Sequence, residues 1–338
     1  MIRPIDLVKG KVLILDQTAL PGKKKYITIS TASEMADAIK TMKIRGAPAL
    51  GIAAAFGVYL SARTNRDLGN IRADMERLRS SRPTAKNISA VLNMIEKKLT
   101  KSKDPAKDIL KEALKIQKDD IGKCLAIGKY GVRLIKNGFK VMTYCNAGTL
   151  ATGQYGTALS PLYAAKKEGI EFEVFVHETR PYMQGSRLTA WELSEAGIKN
   201  TLITDNASAY TQIVKQIDLV IVGADRVAKN GDIANKIGTY GLAVTARYHK
   251  IPFYTAFPAT TFDPECNSGN DIKIEIRPEE EIRFIKGEKN THDRTAVFNP
   301  SFDVTPRALI SGYITEYGFF RDVRKMTAFF RGKVDDRS

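Results

Sequence analysis

Cysteine is scarce in this 338-residue chain: Cys124, Cys145 and Cys266 stand far apart. They form neither a disulfide framework nor a zinc-binding spacing. Histidine is as rare, with three scattered copies, so no metal site is expected. Unpaired cysteines suit a reducing compartment, and a cytoplasmic protein is expected. Long apolar runs are also missing. The longest, 47–60, is too short to span a bilayer and holds two glycines and a proline. The N-terminal residues lack the charged head, apolar stretch and small-residue cleavage site of a secretory signal, so no signal peptide and no membrane partner are expected. Repeats and low-complexity segments are absent. No aromatic-interleaved basic segment occurs, although the net charge is +16. Lys and Arg are spread along the chain, with one tight run at Lys23-Lys24-Lys25. A basic solvated surface explains this better than nucleic-acid binding.

What is present describes a globular protein with 43% hydrophobic residues, long enough for one large or two ordinary domains. Residues up to about 30 read as short strands of a small antiparallel sheet. Helical spacing follows over 33–42, then over 49–60, where Ala, Gly, Ile, Leu and Phe dominate and burial on all sides is expected. Just before that second helix stands Arg45-Gly46-Ala47-Pro48. Glycine admits a close ligand, a helix start offers free N–H groups, and Arg supplies a bidentate fork. On this stretch alone, a phosphate cradle and a plain helix–helix turn stay open. Three more helices are expected over 66–78, 85–99 and 105–118. Arg82 in the loop Ser81-Arg82-Pro83-Thr84 is either a second anion contact or a solvated side chain.

Near residue 125 the pattern changes. After a helix over 121–135, strands over 139–144, 172–176, 200–204, 219–222 and 253–255 alternate with helices over 154–167, 187–196, 207–215 and 237–248. The expected class is α/β: an N-terminal small antiparallel sheet plus helical domain (1–125), then a C-terminal Rossmann-like, doubly wound parallel sheet (126–338). The fingerprint G-x-G-x-x-G is absent after these strands, which disfavours a nicotinamide enzyme. Beyond the fifth strand, 272–276 is a further candidate strand and 307–309 a short helical start.

The strand ends carry the functional signal. They read Cys145-Asn146-Ala147-Gly148, then Glu178-Thr179-Arg180-Pro181 with Gln184-Gly185, then Asp205-Asn206, then Gly223-Ala224-Asp225. In open α/β sheets ligands bind at that end. Asn230-Gly231 is a turn, and Asn235-Lys236 is expected to open a helix whose first-turn N–H groups hold an anion. A lone Asp after a strand is usually a turn residue, and a buried Cys usually a small hydrophobe. Amides, Arg, Cys and Asp gathered at one rim instead point to an enzyme acting on a small anion.

The stretches IRGAPALGIAAAFGVYL, SRPTAKN, TYCNAGTLATGQYGTAL, HETRPYMQGSRLTAWEL, TLITDNASAY, VIVGADRVAKNGDIANKIGTYGLAV and NPSFDVTP, in this order, closely resemble the methylthioribose-1-phosphate isomerase family. Its wider group includes ribose-1,5-bisphosphate isomerases and the regulatory subunits of the exchange factor for translation initiation factor two. The resemblance runs from about Leu15 to Gly318. It implies conversion of 5-methylthioribose 1-phosphate to 5-methylthioribulose 1-phosphate in methionine salvage, by a homodimer without metal or organic cofactor. It also implies Asp225 as general acid and Cys145 as its catalytic partner. Arg45, Gly46, Ala47, Arg82, Gln184, Asn235 and Lys236 match substrate contacts. Gln154 and Tyr163 depart from the common pattern, and they leave a 5-deoxyribose 1-phosphate or, with Arg180 or Arg187 as the extra cation, a ribose 1,5-bisphosphate as alternative substrates. A regulatory subunit is the non-catalytic alternative, and the intact Cys/Asp pair argues against it.

Overall fold

The computed structural model describes residues 2–335 apart from 66, 84, 101 and 286. By their contacts the residues fall into two compact units, Met1–Leu125 with Ala147–Ser160, and Ala126–Asn146 with Pro161–Ser338. Arg66, at the expected helix start, and Thr84 of the Ser-Arg-Pro-Thr loop lie outside the described residues.

In the first unit, β1 (Ile5–Val8), β2 (Lys11–Leu15) and β3 (Tyr26–Ile29) form the antiparallel sheet. Helix α1 (Ala32–Lys40) starts at Thr31, whose hydroxyl accepts from Glu34 N, while the Glu34 carboxylate accepts from Ser30 N at 2.6 Å. This reciprocal bonding is a capping device and fixes the start one residue before the sequence suggested. Helix α2 (Ala47–Thr64) is buried without interruption over 49–62. Its small residues let α1, α3 (Leu68–Ser81) and α4 (Lys86–Leu99) close around it, with Met35, Phe56, Leu78 and Leu92 in the shared core. Helix α5 (Pro105–Gly131) is continuous, where the sequence suggested two helices. No proline interrupts it, and Gly122 costs only about 1 kcal/mol relative to Ala.

The second unit carries β4 (Phe139–Thr143), α6 (Ser160–Lys167), β5 (Phe172–His177), α7 (Ala190–Glu195), β6 (Asn200–Ile203), α8 (Ser208–Val214) and β7 (Leu219–Val222). A hairpin of β8 (Arg226–Ala228) and β9 (Ile233–Lys236) precedes α9 (Thr239–Tyr248) and β10 (Phe253–Ala256). Then come β11 (Phe262–Asp263), α10 (Glu280–Arg283), β12 (Phe284–Ile285), β13 (Glu288–Lys289), β14 (Phe302–Thr305), β15 (Gly312–Thr315), β16 (Gly318–Phe320) and α11 (Val323–Asp335). The main sheet has the order β16-β15-β10-β7-β4-β5-β6, parallel except for the edge strand β16. Numbered along the chain, its parallel strands lie 3-2-1-4-5-6, the doubly wound order. All four residues of β7 are buried, as a central parallel strand requires.

Several elements differ from the sequence expectation. Asn235 and Lys236 lie in β9, which pairs with β14, and the helix begins only at Thr239. The Asn230-Gly231 turn folds β9 back on β8, and Gly231 has a φ of 91°. Residues 272–276 form no strand, only a bridge between Ile276 and Pro300. Strands β15 and β16 are short, and the sequence reading assigned neither them nor helix α11, whose Val323, Met326 and Phe330 are buried at helical spacing. The helix expected over 154–167 starts at Ser160, because Gly156 turns left-handed and approaches the Gly148 backbone so closely that a Cβ would lie 2.3 Å away. Among the described residues no helix is long and apolar enough to cross a membrane.

Candidate active site

In the second unit, strands β4 and β7 are neighbours, with Met142 opposite Val220. The strand order reverses between them, and ligands bind outside the carboxyl ends at such a switch point. Cys145 follows β4 and Asp225 follows β7. The topology therefore places the two sequence-nominated reactive residues after neighbouring strands, at one end of the sheet. Cys145 is half-buried and has a left-handed φ of 61°. Its N–H donates to Thr179 Oγ1 at 2.9 Å, and its carbonyl accepts from Thr189 Oγ1 at 2.5 Å. Asp225 is exposed, and its N–H donates to Ala234 O at 2.8 Å, which ties the loop after β7 to β9.

Around Cys145 the second unit builds a polar shell. Asp205, after β6, accepts from Thr179 N at 2.8 Å and Arg180 N at 2.7 Å. His177, fully buried, bonds Thr143 O through Nδ1 at 2.9 Å, and burial lowers its pKa. Tyr144 lies 4.9 Å from the His177 ring, and burial, then the Asp205 charge, raise its phenol strongly. Neutral forms of both rings are therefore favoured. Gln184 is 5% exposed, and its Oε1 finds no hydrogen-bond partner among the described residues. It stands at the start of a π-helical turn, Gly185–Thr189, a local widening common at functional sites. Gly185 is obligatory there, since a Cβ would meet His177 O at 1.6 Å.

Asn235 is 5% exposed and donates through Nδ2 to Thr239 Oγ1 at 3.0 Å. The Lys236 ammonium sits 4.8 Å from the Phe302 ring. The helix start expected to hold an anion here is already occupied. Asp303 accepts from Gly238 N at 2.7 Å and Tyr240 N at 3.0 Å, so the carboxylate of β14 caps α9. Burial, against these bonds and the Lys236 charge, raises the Asp303 pKa to about 6.

In the first unit, Gly46 is the N-cap of α2 with φ 91° and makes no side-chain cap bond. A Cβ there would lie 2.4 Å from Ala151 Cα, so only glycine fits. Arg45 is 7% exposed and Ala47 opens the helix. Arg82 ends α3 and directs Nη1 to Met42 Sδ at 3.2 Å. The uncapped start of α2, not that of α9, has the form of an anion cradle. Gln154 is buried, and its carbonyl accepts from Thr152 Oγ1 at 3.1 Å.

Arg180 directs its guanidinium to the carbonyls of Pro181, Glu281 and Ile282. Arg187 lies 5.9 Å from the Tyr182 ring. Tyr163, on α6, donates to Glu192 Oε2 at 2.7 Å. A basic cavity of about 900 Å³, lined by Lys229, Arg307, Arg321, Arg324 and Arg331, includes none of the candidate residues. Among the described residues no three His, Cys, Asp or Glu side chains are grouped as a metal ion would need. Sequence reasoning named Thr179 only within a strand end, without a role, and missed Thr189, Glu192 and Asp303. Threonine and glutamate are common within helices and turns, and only the tertiary contacts distinguish these four.

Comparison with known proteins agrees with this architecture. The chain is 46% identical over 329 residues to the methylthioribose-1-phosphate isomerase of Bacillus licheniformis, covering 95% of this chain and 93% of that one. It is 46% identical over 331 residues to a 5-deoxyribose 1-phosphate isomerase of Moorella thermoacetica, covering 95% and 94%. The crystal structure of 5-methylthioribose 1-phosphate isomerase from Pyrococcus horikoshii superposes with a TM-score of 0.93 at 40% identity, covering 99% of this chain and 96% of that one. Residues 43–322 match the initiation factor 2 subunit family, and to that family the chain belongs.

Proposed function

We propose that the chain is an aldose–ketose isomerase that converts 5-methylthioribose 1-phosphate to 5-methylthioribulose 1-phosphate in methionine salvage, working in the cytoplasm. The observation that carries this is the placement of Cys145 and Asp225 after neighbouring strands at the switch point of the sheet. The full-length similarity to methylthioribose-1-phosphate isomerases supports the substrate.

The phosphate on C1 blocks simple opening of the sugar to a free aldehyde. Asp225 in its acid form gives a proton to the ring oxygen. Hydrogen then moves from C2 to C1. In one route the Cys145 thiolate removes the C2 proton and an enol phosphate forms. In the other a hydride shifts directly while Cys145 takes the O2 proton. On the resemblance alone, Arg45, Gly46, Ala47, Arg82, Asn235 and Lys236 are proposed as substrate contacts. Gln184 offers its buried Oε1 to a sugar hydroxyl, which relieves the roughly 1–3 kcal/mol that an unsatisfied buried acceptor costs.

The resemblance to a 5-deoxyribose 1-phosphate isomerase favours that sugar as a second substrate. The two sugars differ by a thiomethyl group, worth about 1–3 kcal/mol in an apolar pocket. Purified protein offered both sugars and ribose 1,5-bisphosphate, with ketose formation followed by NMR, tests the assignment. Turnover of the thioether sugar is expected, with the deoxy sugar second. Turnover of the bisphosphate alone, or of none, overturns it. With C2-deuterated substrate, complete retention of deuterium at C1 rules out the solvent-exchanging enol route.

The chain is also proposed to act as a homodimer. Tyr210, Ile213 and Val214 on α8 and Tyr240, Val244 and Tyr248 on α9 are exposed at helical spacing. The two helices are joined by Gln212 Nε2 donating to Thr245 Oγ1 at 3.0 Å. Three of these six side chains are tyrosine, a residue enriched at protein interfaces.

A further inference from the structure

Cys145 is held in an unfavourable backbone conformation by two polar arms, one on each of its own peptide groups. A non-glycine residue at φ 61° costs about 1–3 kcal/mol and persists only where its surroundings over-determine it. The first arm runs from Asp205 to Thr179 to the Cys145 N–H. Thr179 Oγ1 accepts from that N–H and passes its own hydrogen to His177 O at 3.1 Å. The second arm ends on the Cys145 carbonyl, which accepts from Thr189 Oγ1. Asn146 Nδ2 donates to Thr189 Oγ1 at 3.1 Å and also to Glu192 Oε1. Tyr163 OH donates to the other Glu192 oxygen at 2.7 Å. Glu192 is 2% exposed, and Asn146, Tyr163 and Thr189 are also buried.

The carboxylate sets the direction of this arm. When ionised it only accepts, and the nitrogen of the Asn146 amide, not its oxygen, faces it. The same nitrogen then gives its second hydrogen to Thr189 Oγ1. With its oxygen already accepting, Thr189 turns its own hydrogen toward the Cys145 carbonyl. We propose that Glu192, acting through Asn146 and Thr189, is a positioning residue that fixes the Cys145 backbone and thereby the place of its thiol. The proposal rests on the assignment of Cys145 as the catalytic thiol. Tyr163 completes the arm by occupying the second carboxylate oxygen, a role the sequence did not suggest for it.

The test uses the full-length enzyme and four variants: Glu192→Gln, Thr189→Val, Thr189→Ser and Tyr163→Phe. For Glu192→Gln and Thr189→Val, kcat is expected to fall by about 10–100-fold, the loss that a misplaced reacting group brings. KM for 5-methylthioribose 1-phosphate should stay within about 3-fold, since none of these residues is among the proposed substrate contacts. Thr189→Ser keeps the hydroxyl and should restore most of kcat. A second readout does not depend on turnover: the rate at which iodoacetamide alkylates Cys145, followed by mass spectrometry from pH 6 to pH 10. Its pH profile should shift in Glu192→Gln and Thr189→Val and stay as in the parent in Thr189→Ser. Tyr163→Phe should give a smaller change in the same direction. Unchanged kcat and alkylation in folded Glu192→Gln overturn the proposal, as does a Thr189→Ser variant no better than Thr189→Val. Full activity in Cys145→Ser would instead overturn the catalytic assignment. The alkylation profiles, read on the parent thiol, would still decide whether Glu192 positions it.

Discussion

At the scale of single residues, the fold treats the proposed catalytic pair differently. Cys145 is clamped through both of its peptide groups, whereas Asp225 is an exposed residue after β7. Cys145 packs only in part against the apolar core and serine nearly matches its volume, while Asp225 is exposed, so their replacement should cost function and little stability. Cys145→Ser and Asp225→Asn are each expected to lower kcat by at least about 100-fold, the lower range for a proton-transfer group, with a melting temperature close to the parent's. Assay and calorimetry on the same preparation check this. Near-parental turnover removes the assigned role, and a large fall in melting temperature makes the residue structural. Gly46 is the opposite case. Gly46→Ala places a methyl 2.4 Å from Ala151 Cα at a φ of 91°, so both sterics and backbone oppose it. A fall of several degrees in melting temperature and loss of turnover are expected. A parental melting curve would show that the Ala151 segment can move away.

At the scale of elements, the β14 carboxylate on the start of α9 makes a pH-dependent contribution. Burial raises the Asp303 pKa from 3.8 to about 6, so the folded state binds this proton more tightly than the unfolded chain. Its stabilising contribution is fully present below pH 3.8 and is lost as pH rises through about 6. The loss is on the order of 3 kcal/mol. Asp303→Asn has no such titration. Its melting temperature relative to the parent should therefore rise, in the variant's favour, between pH 4 and pH 7. A difference that stays flat across this range refutes the assignment. The same element shows why helix starts need tertiary context. Both α2 and α9 begin near nominated residues, but only α2 lacks a side-chain cap, while α9 has a carboxylate from a distant strand.

At the scale of the whole molecule, the apolar faces of α8 and α9 bear on association. Tyr248 is 81% exposed, Tyr210 71% and Ile213 57%. Side chains of this size on one pair of helices favour a like surface opposite them. Sedimentation of the parent protein should show a dimer, and Ile213→Asp with Tyr248→Asp should show a monomer. A parent that sediments as a monomer at micromolar concentration ends this proposal. A double variant that remains dimeric moves the interface elsewhere.

The alternation of apolar strands with helices, read from the chain alone, settled the parallel sheet, because side-chain periodicity is a local property of the backbone. The same holds for the all-buried α2, whose composition leaves it no polar face. The positions of Cys145 and Asp225 after apolar runs were legible for the same reason. Tertiary structure decided what depends on distant pairings. Asn235 and Lys236 became a strand because β14 lies beside them, over residues too mixed to declare it. Strand β15 joined the sheet beside β10 despite a weak local signal, since burial between neighbours overrides propensity. Thr179, Thr189, Glu192 and Asp303 acquired their roles only through partners tens of residues away, and a hydrogen bond across such a separation leaves no mark on local sequence.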